Sequence, residues 1–346
     1  MRTFRSTRVI LALALIAFGC AGSKPDPKPA PGSAAVVSVT STPSAGSSAP
    51  APVPSDDPWG KDPPVDPGEP PDATTTKELA DKACPIVKAP FYYRVTKSGK
   101  TSWLLGTRHL GVPLTKLPPK IKAQVLKSSL VVFETPPGDE AEGTPGDGAS
   151  LATKLGPQLW TKYTALVGQR TAGAVENQKP SIALLMLMMM YEDKLSALDM
   201  EIEQVASAAK IRTGGLETSA FQEQLLEELL DLRMLKATIA GTPDRKTIEK
   251  ESFEDLAEYC AGTDDVPGSD AKTIKQLTEA GYTDAEIKRL DERLLDERNI
   301  AWMPQLEKMF ATGNVFVVVG ADHLIGKTGV VKMLTDRGFK AERVGP

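Results

Sequence analysis

The segment Val315-Phe316-Val317-Val318-Val319-Gly320-Ala321-Asp322-His323 reads as a buried strand that ends in a glycine and delivers a histidine three residues later. Five consecutive β-branched or aromatic apolar residues, with no polar alternation, imply a strand covered on both faces. A helix from Lys327 to Asp336 follows, Gly338 caps it, and Phe339 to Val344 forms a last strand, so the end of the chain carries a β-α-β pattern. Working backwards, Phe91 to Thr96 and Ser102 to Leu105 flank the turn Lys97-Ser98-Gly99-Lys100 and predict a hairpin. Beyond a proline-containing loop, Ile121, Val125 and Leu126 recur at helical spacing, and Leu130-Val131-Val132-Phe133 is another buried strand that ends at Glu134. Leu151 to Lys236 reads as a series of helices, with Gly215-Leu216-Glu217 in a break after a short strand, and Thr247–Tyr259 and Thr283–Met309 continue the helical region. The fold class is therefore α/β: a mixed central sheet with helices on both faces and a helical insertion.

Composition narrows the function. Across 346 residues, 41 basic and 45 acidic side chains leave a net charge of -4, so no global positive field exists to hold nucleic acid. The only long apolar run lies in residues 1–20, which excludes a multi-pass membrane protein. That segment has Arg2, Arg5 and Arg8 before an apolar stretch and ends Ala17-Phe18-Gly19-Cys20, the pattern of a bacterial lipoprotein signal with Cys20 as the lipidated residue; ordinary secretion is the alternative. Residues 21–77 hold 14 of the 28 prolines and predict a disordered tether, leaving residues 78–346 as the folded part. The expected location is the cell envelope, lipid-anchored in the periplasm or at the outer membrane. In that oxidising setting Cys84 and Cys260 are expected to form a disulfide. The Met-rich run Leu184 to Met190 is too short to cross a membrane and reads as a core helix rather than a copper box.

With two histidines in the chain, a three-histidine metal site within one subunit is impossible. Both sit three residues after a glycine, in Gly106-x-x-His109 and Gly320-x-x-His323, and both motifs directly follow an apolar strand. Residues just past strand carboxyl ends gather along one edge of an open α/β sheet, so His109, Glu134 and His323 are predicted to converge. Gly106 and Gly320 would let the backbone turn and approach a bound group. Two imidazoles and a carboxylate form a plausible divalent-metal site that activates water against a carbonyl. A histidine acting as a metal-free base would use the same side chains.

These motifs, together with Gly215-Leu216-Glu217-Thr218, Glu297-Arg298-Asn299 before Trp302, and Gly329 and Gly338, resemble the TraB/GumN family from about Pro90 to Val344. That family is related to the Tiki proteases and, more remotely, to erythromycin esterases and ChaN-like haem-binding proteins. The resemblance implies a metal-dependent hydrolase of peptidase type, supported by manganese or cobalt rather than zinc, with His109, His323 and Glu134 as ligands or catalytic groups. It further implies that Arg298 binds a substrate carbonyl or carboxylate, and that Glu217 is either catalytic or a helix-start carboxylate. Arg108 and Asp322 depart from the family's usual residues and could pair with each other. A peptide or small-molecule substrate follows from the hydrolase reading. A tethered envelope lipoprotein that binds haem or a metal without chemistry is the competing expectation.

Overall fold

The computed structural model describes residues 68–139, 148–263 and 269–345. The expected signal, the lipidated Cys20 and the tether up to residue 67 lie outside the described residues. No helix among the described residues is long and apolar enough to cross a membrane.

Six strands form one mixed sheet: β1 (Phe91–Lys97), β2 (Lys100–Thr107), β3 (Leu130–Phe133), β4 (Arg212–Gly215), β5 (Val315–Gly320) and β6 (Lys340–Arg343), in the spatial order β4-β3-β5-β2-β1-β6. The hairpin turn is tight because Ser98 and Gly99 both adopt positive φ, the backbone twist that two-residue hairpins need. β1 pairs antiparallel with β2 and β6, whereas β4, β3, β5 and β2 are mutually parallel. The strand β5, central among these, is buried at every residue, as its unbroken apolar run requires. The β-α-β reading of the C-terminus holds in element type, and β6 lies at the sheet edge, antiparallel on β1.

Apolar side chains separate into two cores. One joins the sheet to the helices Pro119–Lys127, Leu198–Ala208, Glu297–Thr312 and Val330–Asp336. The other is built by the helices between residues 151 and 295, including Pro180–Met188, where the Met-rich run is packed as core. Phe253 touches both cores. The helix Arg245–Ala261 is tied by the Cys84–Cys260 disulfide to the end of the helix Ala73–Ala83.

The close approach of β2 to the segment after β5 depends on Gly106. A Cβ there would lie 2.8 Å from Ala321 Cα and 2.8 Å from Phe91 Cβ, so the glycine makes room for protein, not for a bound group. Gly106→Ala is expected to destabilise the fold by about 1–3 kcal/mol through overpacking against backbone that cannot rotate away. Gly214→Ala, where nothing lies within 4 Å, should stay within about 0.5 kcal/mol. Denaturant midpoints of the two variants check the contrast.

Candidate functional site

The parallel strands β2, β3, β4 and β5 end on one side of the sheet, and each supplies an ionisable side chain within three residues of its end: His109, Glu134, Glu217 and His323. Arg298 reaches the same point from the helix Glu297–Thr312, immediately after a π-helical turn at Glu292–Asp296. Such turns re-aim side chains by inserting a residue into the helical register.

Arg298 is 2 % exposed. Its Nη2 donates to Glu134 Oε2 at 2.6 Å and to Glu217 Oε1 at 2.6 Å. Its Nη1 donates to the Leu294 carbonyl at 3.2 Å and to His323 Nε2 at 3.0 Å, and its Nε donates to Glu217. A guanidinium has five N–H groups. These contacts use all five, so in this arrangement no N–H of Arg298 is left over for a substrate carbonyl or carboxylate. Its guanidinium also lies 4.9 Å from the Trp302 ring centre, and Trp302 Nε1 donates to Glu217 Oε2 at 3.0 Å. Glu217 therefore does not cap the helix Ser219–Leu229; Thr218 does, by accepting from the Phe221 N–H.

Glu134 is held on every side. Oε1 accepts from the Gly320 N–H at 2.7 Å, and Oε2 accepts from Arg298 and from Gln222 Nε2 at 3.2 Å. Burial alone would raise its pKa, but Arg298, then the two histidines and the Gly320 N–H, hold it down at about 2. At Glu217 burial outweighs the pull of Arg298 and the pKa is raised.

The two histidines share a motif but not an environment. His323 is fully buried; its Nδ1–H donates to Asn299 Oδ1 at 2.7 Å, and its Nε2 must be the acceptor because Arg298 can only donate. Burial, aided by the positive charge of Arg298, lowers its pKa to about 3 and keeps the ring neutral. His109 is hydrogen-bonded through Nδ1 to Asp199, in the first turn of the helix Leu198–Ala208. Its Nε2 is buried and, among the described residues, has no hydrogen-bond partner; it lies 3.7 Å from Glu134 Oε1. Burial lowers the pKa of His109, yet the charge and hydrogen bond of Asp199, with Glu134 behind them, outweigh it and the pKa is raised.

The sequence reading missed Asp199, Gln222 and the roles of Asn299 and Trp302. Asp199 carried no strand-end or glycine signal; an acidic residue in a helix's first turn is the commonest of ornaments. Arg108 Nη2 donates to Glu192 Oε1 at 2.6 Å and to the Ser252 carbonyl at 3.3 Å, partners the sequence did not point to.

Whether these residues suit a metal depends on three lone pairs. Both histidine Nε2 atoms lie 3.7 Å from the same Glu134 oxygen. The lone pair of His323, however, is engaged by the Arg298 cation, and among the described residues no group of three or more His, Cys, Asp or Glu is placed to hold a metal ion. In this arrangement the expected three-ligand set does not fit, and His109 Nε2 with Glu134 Oε1 is what remains open. The cavity against His109, lined also by Thr107, Arg108, Asp255 and Tyr259, measures about 60 Å³.

Replacing Arg298 by Met would leave two buried carboxylates unpaired and is expected to destabilise the protein by roughly 3–5 kcal/mol. Adding Glu134→Gln and Glu217→Gln should recover part of that loss, which a denaturation series of the single and triple variants measures.

No curated protein and no solved structure matches the chain. The TraB/PrgY/gumN family model matches residues 91–343, from the first strand of the sheet to the last, and the chain belongs to that family.

Proposed function

We propose that this protein is a cell-envelope hydrolase that cleaves an amide or ester carbonyl with water activated by His109. The observation that carries the reading is the state of that ring, held at Nδ1 by a carboxylate while Nε2 is buried, unpartnered and turned toward Glu134. Donation of Nδ1–H to Asp199 fixes the tautomer and leaves the Nε2 lone pair as a base. A water beside Nε2 and Glu134 Oε1, within reach of both, gives its proton to His109 as its oxygen adds to the carbonyl carbon. Asp199 and Glu134 stabilise the imidazolium, which then returns the proton to the departing amine or alkoxide. Arg298 fixes Glu134 and keeps His323 neutral, so the second histidine orders the site without exchanging protons.

A second reading follows the resemblance to metal-dependent proteases. Manganese or cobalt would bind through His109 and Glu134, with His323 joining if Arg298 surrendered its hydrogen bond. The equal 3.7 Å spacing of both rings from Glu134 Oε1 favours it. The location rests on the export-signal reading of residues 1–20, the lipid anchor at Cys20 and the tether of residues 21–77. A disulfide at Cys84–Cys260 is consistent with an oxidising compartment.

Hydrolysis of a peptide and ester library by the purified full chain, before and after chelation, separates the readings. Activity that survives chelation and disappears in His109→Ala is the expected result. Activity lost on chelation and restored by manganese or cobalt would establish the metal reading instead. No turnover under either condition would leave a non-catalytic ligand-binding lipoprotein.

The pH dependence carries its own sign. A base must be deprotonated, and the pKa of His109 is raised above 6.5, so kcat/KM should climb with pH to a midpoint above that value. Asp199→Asn removes the charge that raises it while burial continues to lower it, so the midpoint should move to lower pH. The wrong tautomer should also cut kcat by roughly 10²-fold or more. A pH–rate profile with the midpoint unmoved in Asp199→Asn would exclude His109 as the base.

A further inference from the structure

A second cavity, of about 120 Å³, lies in the helical core, lined by residues of the helices Pro180–Met188, Leu232–Gly241, Arg245–Ala261 and Asp284–Asp291. Its walls are largely hydrocarbon, among them Leu187, Met234, Ile248, Leu290 and Leu294. Every ionisable residue that lines it is an acid: Glu192, Glu251 and Asp255. Asp255 also lines the cavity against His109, and Arg108, the residue before His109, forms the ion pair with Glu192.

Glu192 is 2 % exposed, and its two oxygens are unequal. Oε1 accepts from Arg108, while Oε2 is buried and, among the described residues, has no hydrogen-bond donor within normal reach, the Ser252 hydroxyl being the side chain that also lowers the carboxyl's pKa. Burial pushes this carboxyl up to about 7 against the pull of Arg108, the mark of a charge incompletely compensated. Native proteins rarely leave a buried acceptor without a donor, because the desolvation penalty is then unrelieved. A largely apolar chamber lined by a buried carboxylate with an unengaged oxygen suits a compact hydrocarbon bearing a cationic N–H donor.

The geometry points to a binding site for a small branched alkylammonium group, its hydrocarbon against the Leu and Met walls and its ammonium donating to Glu192 Oε2. A cavity of this size holds a group of about four or five carbons, given that one of roughly 150 Å³ accommodates benzene. The assignment rests on the hydrolase reading only in so far as the bound group belongs to the substrate, with Arg108 and Asp255 joining the chamber to the cavity at His109. Binding itself uses no atom of His109.

Three probes of nearly one shape test it on the full chain by isothermal titration: 3-methylbutylamine, 3-methylbutanol and 3-methylbutanoate. The amine should bind tightest and the carboxylate least. Glu192→Gln, which keeps the shape but not the charge, should weaken the amine by about tenfold or more and leave the alcohol nearly unchanged. Ala237→Phe, which fills the chamber, should abolish binding of all three. Equal binding of amine and carboxylate by the wild-type protein, or amine binding unaffected by Glu192→Gln, would overturn the assignment, and the first of these needs no variant to fold. His109→Ala should bind the amine as the wild type does. Failure of hydrolysis with amine binding intact would thus fall on the catalytic reading alone, and lost amine binding with hydrolysis intact on this site alone.

Discussion

The burial of the Arg298 guanidinium is the constraint on which the site depends. A cation removed from water is tolerable only if counter-charge and acceptors meet it in full, and here two carboxylates, a backbone carbonyl and an imidazole nitrogen do so. Each partner is fixed by the same contacts. Glu134 is kept ionised, Glu217 is drawn away from its helix start, and His323 is compelled to carry its proton on Nδ1. The network is thus less a store of stability than a device that leaves each polar atom one permitted state. Among the described residues of the network His109 Nε2, Asp199 Oδ1 and Gln222 Oε1 are left unengaged, and of these His109 Nε2 is the basic nitrogen.

The sheet order explains why residues far apart in the chain reach this cation. Four parallel neighbours, β4, β3, β5 and β2, end on the same side, and a parallel sheet gathers whatever follows its strands at that edge. That much was legible in the sequence, since unbroken apolar runs marked β3 and β5, and the residues just past their ends were His, Glu or paired with Gly. The strand β4 was harder, because Arg212-Thr213-Gly214-Gly215 has no apolar run and is a strand only by tertiary pairing with β3. The path of β6 to the opposite edge was not legible at all. Short strands carry no record of which neighbour they choose, and the hairpin of β1 and β2 separates β6 from β5.

Partners supplied by helices stayed hidden for a different reason. Asp199 and Gln222 lie at positions where helices ordinarily carry polar residues, so neither pattern nor composition distinguishes them from solvent-facing ones. Their meaning arises only when the helices Leu198–Ala208 and Ser219–Leu229 are set against the strand ends. Arg108 shows the converse, a residue whose charge was visible but whose partner, Glu192, is 84 positions away in the helical core.

The likeness of the two Gly-x-x-His motifs invites a symmetric reading, with two equivalent ligands or two equivalent bases. Electrostatics argues against symmetry. At His323 burial and a neighbouring guanidinium both disfavour the imidazolium, and the pKa falls to about 3; at His109 two carboxylates overcome burial, and the pKa rises. Where environments push like groups apart, they mark the group that exchanges a proton and the group that does not. A metal bound by both rings would have to displace a proton stabilised by Asp199 at one and a guanidinium paired with two carboxylates at the other. A metal-free base would also have to lose the proton that Asp199 stabilises, as the pH passes the raised pKa of His109, but it leaves the Arg298 guanidinium in place. In the proposed mechanism the same raised pKa would make the imidazolium formed during attack a favourable species, so that Asp199 would serve both the resting ring and the charged one that follows.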